Sequence, residues 1–393
     1  MATKYMYYPG CSMDGTGKAY HDSIEAVLPE LDIGLAELDD WNCCGATEYM
    51  GISPLRSQAL VGRNLALAEK QKNGTDTLVA PCSACYVNLA RTDAYVRESA
   101  ELAGEVNDAL SADGMHYTPG AVKVRHLLEI MIDDVGLEEV GEHVTRPLAG
   151  LKLAPYMGCL VSRPDYDDRW QHREHPHALD QLLLTLGADV VEYSRRTDCC
   201  GGHMTQISPE TGLELIRRLI VEAERVGAHA LVTVCPMCQM NVDFYQREMN
   251  HHFKEGHHMP ILFFTQLMGL AYGMPAKRLG FGREIISARP ALANIGIEAP
   301  LTAEEEAEKA AAAKPPRRRR GDPTLPSPAP REDEEVLRCA PPGPAARSAT
   351  AGPTSPPWSM SRRSATGPRQ SSTTRASSWR ATTPSCARAW ARS

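Results

Sequence analysis

Short apolar runs alternate with amphipathic helical stretches along the first 300 residues of the chain. The run KYMYYPGC, residues 4–11, has the length of a buried strand and stops at Pro-Gly. In the next stretch, AYHDSIEAVLPEL, apolar residues recur at the spacing of one helix face: Ile24, Val27, Leu28 and Leu31. The run IGLAELDDW, residues 33–41, then predicts a second strand. The chain is therefore expected to begin with a strand, a helix and a strand.

The same alternation continues towards residue 300. Ser53-Pro54 and Ser208-Pro209 are typical of the N-cap and first position of a helix. The runs DTLVAPC and HALVTVC, residues 76–82 and 229–235, predict buried strands, each followed by a helix. Alternating strands and helices indicate the α/β class, with parallel sheets and right-handed crossovers. Ligand sites of such sheets lie beyond the carboxyl ends of the strands.

The cysteines show that the pattern is duplicated. The order is a single cysteine, then Cys-Cys-Gly, then Cys-x-x-Cys, and it occurs twice: Cys11, Cys43, Cys44, Cys82 and Cys85, then Cys159, Cys199, Cys200, Cys235 and Cys238. The triplet Ile-Ser-Pro follows each Cys-Cys pair, and Asn88 and Asn241 each stand three residues after a Cys-x-x-Cys. An internal repeat of this kind predicts two like domains, residues 1–150 and 151–300, packed with pseudo-twofold symmetry. Each cysteine set is expected to converge at one sheet edge.

Composition changes abruptly near residue 300. Residues 301–393 hold 14 of the 29 prolines and carry 16 Lys and Arg against 9 Asp and Glu, with no sustained apolar period. This segment is interpreted as a disordered tail, so Cys339 and Cys386 are left out of the site. The remaining 300 residues carry 26 basic against 40 acidic side chains. A body this acidic argues against nucleic-acid binding.

Twelve cysteines in one chain call for a chemical explanation. The start MATKYMYYPG lacks the sections of a signal peptide, and no apolar run has the length of a membrane span. These features predict a cytoplasmic protein without a transmembrane segment, where thiols are kept reduced and bind metals or react with oxidants. Tetrahedral zinc needs only four ligands, whereas a multi-iron sulfide cluster accommodates adjacent cysteines because each sulfur can bind a different iron. A non-catalytic module that holds structural zinc remains an alternative.

The cysteine pattern, with the stretches LVAPCSACYVN, TVCPMCQMN and MPILFFTQLMGLAYG, resembles the B-subunit family of heterodisulfide reductases and its cysteine-rich CCG domain. The resemblance covers about residues 4–290. It implies two noncubane 4Fe-4S clusters, each held by one five-cysteine set, so that all ten cysteines are expected to be both cluster ligands and catalytic residues.

The resemblance also implies the reaction, which is the reduction of a disulfide to two thiols between the clusters. In methanogens this substrate is the mixed disulfide of coenzymes M and B, CoM-S-S-CoB, and the residues do not identify the substrate of this chain. No flavin or nicotinamide motif occurs here, so electrons are expected from two partners of the family's complexes, a ferredoxin-like iron-sulfur subunit (C type) and a flavoprotein subunit (A type). A second interpretation within the same resemblance is an electron-transfer or anchoring subunit of a succinate dehydrogenase or fumarate reductase.

Overall fold

The first repeat is a parallel sheet with helices in the crossovers, as the alternating pattern predicts. The structure, a computed structural model, describes residues 3–46, 48–72, 74–163 and 172–312. The elements of this repeat are β1 (Thr3–Tyr7), α1 (Lys18–Val27), β2 (Ile33–Glu37), α2 (Glu48–Ile52), α3 (Pro54–Lys70), β3 (Thr77–Ala80), α4 (Ser83–Glu98), α5 (Ala100–Ser111), β4 (Lys123–His126), α6 (Leu127–Glu129) and α7 (Leu137–Glu142). The strand order is β2-β1-β3-β4, with every pair parallel.

The second repeat has the same architecture. Its elements are β5 (Lys152–Tyr156), α8 (Cys159–Ser162), α9 (Ala178–Thr185), β6 (Asp189–Val190), α10 (Met204–Ile207), α11 (Pro209–Arg225), β7 (Ala230–Thr233), α12 (Pro236–Phe244), α13 (Gln246–Phe253), β8 (Ile261–Phe263), α14 (Phe264–Ala271) and α15 (Arg289–Ala293). The strand order β6-β5-β7-β8 is again fully parallel and matches that of the first repeat position by position. The prediction of two pseudo-symmetric α/β repeats is confirmed.

The predicted helix starts after the Cys-Cys pairs are also present. Helices α3 and α11 begin at Pro54 and Pro209, directly after Ser53 and Ser208. Proline is tolerated there because the first helical N–H has no partner within the helix. Neither serine side chain accepts a capping hydrogen bond, so the serines occupy the N-cap position without satisfying the helix N–H groups.

Each repeat contributes its last helices to the other repeat. Helix α14, which follows the final strand of the second repeat, packs on α1, and α7 of the first repeat packs on α9. The Tyr20 ring stacks on Phe263 with centroids 4.3 Å apart, and the buried hydroxyls of Ser23 and Thr265 lie 2.6 Å apart. Such a ring pair adds about 0.5–1.5 kcal/mol beyond the burial of its area. Because the repeats share one hydrophobic core, their sheet edges are held in fixed positions.

The structure differs from the sequence interpretation at the start of the predicted tail. Residues 303–312 form a helix, α16 (Ala303–Ala312), rather than a disordered segment. Its first turn is closed by a reciprocal pair in which the Thr302 N–H donates to the Glu305 carboxylate at 2.8 Å and the Glu305 N–H donates to the Thr302 hydroxyl at 3.3 Å. Residues 313–393 of the tail lie outside the described residues.

None of the helices in the described part of the chain is long and apolar enough to span a membrane. The domain boundaries at residues 150 and 300 stay predictions.

Candidate metal centre

The ten predicted cysteines all follow strands at the carboxyl edges of the two sheets. In the first repeat Cys11 follows β1, the pair Cys43-Cys44 follows β2, and Cys82 follows β3. The second repeat places its five cysteines in the same order after β5, β6 and β7. Parallel strands bring their carboxyl ends to one edge, so the convergence of thiols within each repeat is the predicted one.

The five sulfurs of the first repeat form a row of contacts. At one end the Sγ atoms of Cys11 and Cys43 lie 3.7 Å apart, and further along those of Cys44 and Cys85 lie 3.6 Å apart. The neighbours Cys43 and Cys44 contact each other, and Cys85 also contacts Cys82. The row therefore runs from Cys11 at the outer end to Cys82 at the inner end.

The second repeat has the equivalent row, and the two rows join. It runs in the order Cys159, Cys199, Cys200, Cys238 and Cys235. The junction is a contact between Cys82 and Cys235, the first cysteines of the two Cys-x-x-Cys motifs. All ten thiols thus form one continuous series, called here the thiol path, with its pseudo-twofold centre between Cys82 and Cys235.

The thiol path is accessible at its ends and closed at its centre. Cys11, Cys43 and Cys199 are exposed and Cys159 is half-buried. The six central cysteines are buried: Cys44, Cys82, Cys85, Cys200, Cys235 and Cys238. A molecule from solvent therefore reaches the outer thiols first.

Crowding of the sulfurs spreads their pKa values apart. Hydrogen bonds from Cys43 and Cys85 lower the pKa of Cys44 to about 3, while contact with Cys44 and burial raise the pKa of Cys43. In the second repeat the Cys159 contact lowers the pKa of Cys199, and the Cys199 contact raises that of Cys200 to about 12. Each row stabilises some thiolates but opposes the simultaneous ionisation of all five of its thiols. Cations bound among the sulfurs would relieve this repulsion, because a coordinating thiol is deprotonated.

Two asparagines hold the Cys-Cys loops against the Cys-x-x-Cys helices. The Asn88 side-chain amide donates to the Cys44 carbonyl at 3.2 Å, and the Asn241 amide donates to the Cys200 carbonyl at 2.6 Å. Both asparagines are buried, at 2% and 0% exposure. The asparagine that recurs three residues after each Cys-x-x-Cys therefore has the same structural role in both repeats.

A pair of tyrosines, which the sequence interpretation missed, also holds the same loops. The Tyr8 hydroxyl donates to the Asn42 carbonyl at 2.7 Å, and the Tyr156 hydroxyl donates to the Asp198 carbonyl at 2.8 Å. Asn42 and Asp198 are the residues immediately before the Cys-Cys pairs. The sequence signal that identifies the two tyrosines is the motif Tyr-x-Gly-Cys, which occurs as YPGC and as YMGC.

The glycine of this motif leaves room for a sulfur. Gly10 has a φ of +76°, and a Cβ atom there would lie 2.8 Å from the Cys85 Sγ. Gly158 has a φ of +72°, and its Cβ would lie 3.3 Å from the Cys238 Sγ. A side chain would be strained at either φ, and at Gly10 it would also displace the Cys85 thiol.

The donor set fits several soft metal ions better than one ion. All ten donors are thiols, which suit zinc or iron–sulfur chemistry. Among the described residues, no three or more His, Cys, Asp or Glu side chains are grouped so that they could hold a metal ion. The thiols instead form an extended row, and the N–H groups of Gly45 and Gly201 donate to the sulfurs of Cys43 and Cys199 at 3.4 and 3.3 Å. An extended thiol row with N–H···S bonds suits an iron–sulfur cluster in each repeat.

The profile of the CCG cysteine-rich domain matches residues 5–90 and 153–243, once in each repeat. A curated relative is 34% identical over 288 residues, which cover 73% of this chain and 99% of the relative. The chain belongs to the CCG family. That relative is the 8-methylmenaquinol:fumarate reductase membrane anchor subunit of Wolinella succinogenes.

Two further relatives carry names that refer to heterodisulfide reductases. The B subunit of the ferredoxin/F420H2-dependent CoB-CoM heterodisulfide reductase of Methanosarcina acetivorans is 28% identical, with 74% of this chain and 97% of the relative covered. A protein of Archaeoglobus profundus, described as like the heterodisulfide reductase B subunit, is also 28% identical, with 70% of this chain and 93% of the relative covered. The resemblance to the B-subunit family is confirmed, and the chain is a member of an iron-sulfur oxidoreductase family.

A solved structure shares the fold. It is a hypothetical protein from Helicobacter pylori with a TM-score of 0.57 and 15% identity. The alignment covers 73% of this chain and 52% of that chain, so the match extends over about half of the Helicobacter protein.

The two CCG repeats differ at one buried position beside the centre of the thiol path. His126 ends β4 and pairs with Ala80, two residues before Cys82, while Phe263 ends β8 and pairs with Thr233, two residues before Cys235. His126 is fully buried, and burial lowers its pKa to about 4, so the ring is neutral at ordinary pH. The sequence interpretation did not single out His126, because neither its spacing nor its neighbours form a motif.

Proposed function

We propose that this CCG protein holds two noncubane 4Fe-4S clusters, one per five-cysteine set, and is the iron–sulfur catalytic subunit of a heterodisulfide reductase-like complex. The observation that carries the proposal is the thiol path, because two metal-binding rows that meet at one junction give electrons a continuous route between the repeats. Bound iron would supply one electron from each site and hold the sulfur atoms of the substrate.

The residues of the chain have separate tasks in this proposal. The ten cysteines bind metal, and the asparagine and tyrosine pairs fix the loops that carry the Cys-Cys motifs. The exposed thiols Cys11, Cys43 and Cys199 mark the side from which a disulfide approaches. A disulfide gains two electrons and two protons and leaves as two thiols. CoM-S-S-CoB is the candidate substrate, because a relative is named a subunit of a CoB-CoM heterodisulfide reductase.

The electrons come from partner proteins in this scheme. The partners proposed from the family resemblance are a ferredoxin-like iron-sulfur subunit, which carries electrons singly, and a flavoprotein subunit that supplies it. The cytoplasmic location expected from the cysteine-rich sequence belongs to the same proposal.

A second function is favoured by a specific observation. The Wolinella relative that this chain covers almost completely serves a fumarate reductase that uses 8-methylmenaquinol. In this alternative the same two clusters transfer electrons between a quinol and a fumarate reductase, and no disulfide is cleaved.

Metal analysis and paired assays test both functions. After anaerobic purification, about eight iron atoms with matching acid-labile sulfide per chain are expected for two clusters. Stoichiometric zinc without iron would instead favour a binding module and contradict both functions. The reduced protein is then mixed with disulfides, including CoM-S-S-CoB. Thiol release at the rate of cluster oxidation supports disulfide reduction. If no disulfide reoxidises the clusters while a menaquinol analogue reduces them, the fumarate reductase alternative holds.

A further inference from the structure

The junction of the thiol path is symmetric in its sulfurs but not in their surroundings. The His126 imidazole lies against the carbonyl groups of Pro81 and Val234. These are the residues immediately before Cys82 and Cys235. One buried side chain therefore contacts both Cys-x-x-Cys loops, one from each repeat.

The orientation of the His126 ring is fixed by its other nitrogen. The Leu128 backbone N–H donates to Nδ1 at 3.1 Å, so Nδ1 carries the lone pair and the hydrogen is on Nε2. Nε2 is buried, and within the described ranges it reaches no acceptor at hydrogen-bond geometry. A buried N–H without a satisfied partner is costly, and its dipole acts strongly on nearby charge because no water screens it.

The equivalent position of the second repeat supplies no donor. Phe263 stands there, and its ring is stacked on Tyr20. The junction thus has one N–H dipole, provided by the first repeat alone.

We propose that His126 is a positioning residue that makes the two cluster sites inequivalent, so that they have different reduction potentials and are reduced in turn. The inference rests on the proposed function, because it requires a cluster in each repeat. A buried N–H dipole close to the ligand loops stabilises the negative charge added on reduction, which raises the reduction potential of the site that it lies nearer. Electrons that arrive singly would then occupy one site before the other.

A redox titration followed by electron paramagnetic resonance tests the proposal. The parent protein is expected to show two midpoint potentials. Variants Cys44→Ser and Cys200→Ser assign them, since each is expected to remove the signal of its own repeat. His126→Phe, which copies the residue at the equivalent position of the second repeat, should lower the higher potential towards the other without loss of iron.

Two further variants separate hydrogen bonding from packing. His126→Gln keeps a side-chain N–H and should retain most of the separation between the two potentials. His143→Phe changes a histidine at the end of α7, outside the junction, and should leave both potentials as in the parent. If His126→Phe does not fold, His126→Met fills the same space without a donor and serves in its place.

Several results would overturn the inference. The two parent sites could titrate at one potential, or His126→Phe with full iron could keep the parental separation. Equal shifts in His126→Phe and His126→Gln would assign the effect to packing, and iron loss in both apolar variants would assign the residue to cluster assembly. These results differ from failure of the proposed function, which would appear as absence of clusters from the parent protein.

Discussion

Replacing Tyr156 by phenylalanine probes how firmly the Cys199-Cys200 loop is held. Tyr156 is fully buried, and its hydroxyl donates to the Asp198 carbonyl at 2.8 Å. The substitution Tyr156→Phe removes this bond but leaves the ring in place. A neutral hydrogen bond contributes about 0.5–1.5 kcal/mol, so the equilibrium constant for local opening of the loop should rise about 2- to 12-fold.

The expected consequence is faster loss of metal from the second repeat alone. Iron release to a strong chelator, followed by absorbance, should occur in two phases, and Tyr156→Phe should accelerate one of them by about the same 2- to 12-fold. The matched variant Tyr8→Phe removes the equivalent bond to the Asn42 carbonyl and should accelerate the other phase.

Tyr193→Phe is the control for general destabilisation. Tyr193 is also fully buried in the second repeat, and its hydroxyl donates to the Leu219 carbonyl at 2.9 Å, a bond that does not involve the Cys-Cys loop. It should lower thermal stability without a selective change in either phase. Unchanged iron release in Tyr156→Phe, or equal acceleration of both phases, would refute the view that the tyrosine acts locally on its own cysteine loop.

Three other results are expected. Cys200→Ser should reduce bound iron by about half, measured by metal analysis, because the ligands of each cluster are local to one repeat; complete loss would indicate a shared cluster. Truncation after Ala312 should leave iron content and melting temperature unchanged, and a fall in either would show that the tail contributes to the folded body. Asp243, buried and bonded to the N–H groups of Ile285 and Ile286, has its pKa raised to about 6 by burial. Asp243 therefore binds a proton more tightly in the folded protein than in the unfolded chain. Its contribution to the free energy of unfolding should fall by at most about 3 kcal/mol as pH rises from 4 to 7. The melting temperature of the Asp243→Asn variant should lack this part of the pH dependence. If melting temperature changes with pH in the same way in the variant and the parent protein, the raised pKa of Asp243 is contradicted.

The fold was predictable because its signals are local. The runs around β1, β3 and β7 are short and apolar, and they end in Pro-Gly or in cysteine, which limits each to a strand. The rule that parallel strands share a carboxyl edge then places the cysteines together without any knowledge of distances. Helix α16 was missed because its stabilising signal, the pair Thr302 and Glu305, is brief and precedes a proline-rich segment that dominates the composition.

The thiol path was not predictable from the same signals. Its junction depends on how the repeats pack, and that packing is set by contacts between residues far apart in the chain, such as Tyr20 with Phe263 and Ser23 with Thr265. Neither pair has a periodicity that identifies its partner. The sequence interpretation therefore gave two separate five-cysteine sets, and only the structure joins Cys82 to Cys235.

Pseudo-twofold symmetry determines which side chains can act on both repeats. In a pseudo-twofold arrangement, residues near the axis meet their own counterparts, as Cys82 meets Cys235, while residues far from the axis act on one repeat only. Tyr8 and Tyr156 are of the second kind, since each supports the loop of its own repeat. His126 also lies near the axis, because it lies against backbone from both repeats. A change from phenylalanine to histidine on one side of the axis is therefore sufficient to give two otherwise equivalent sulfur sites different environments.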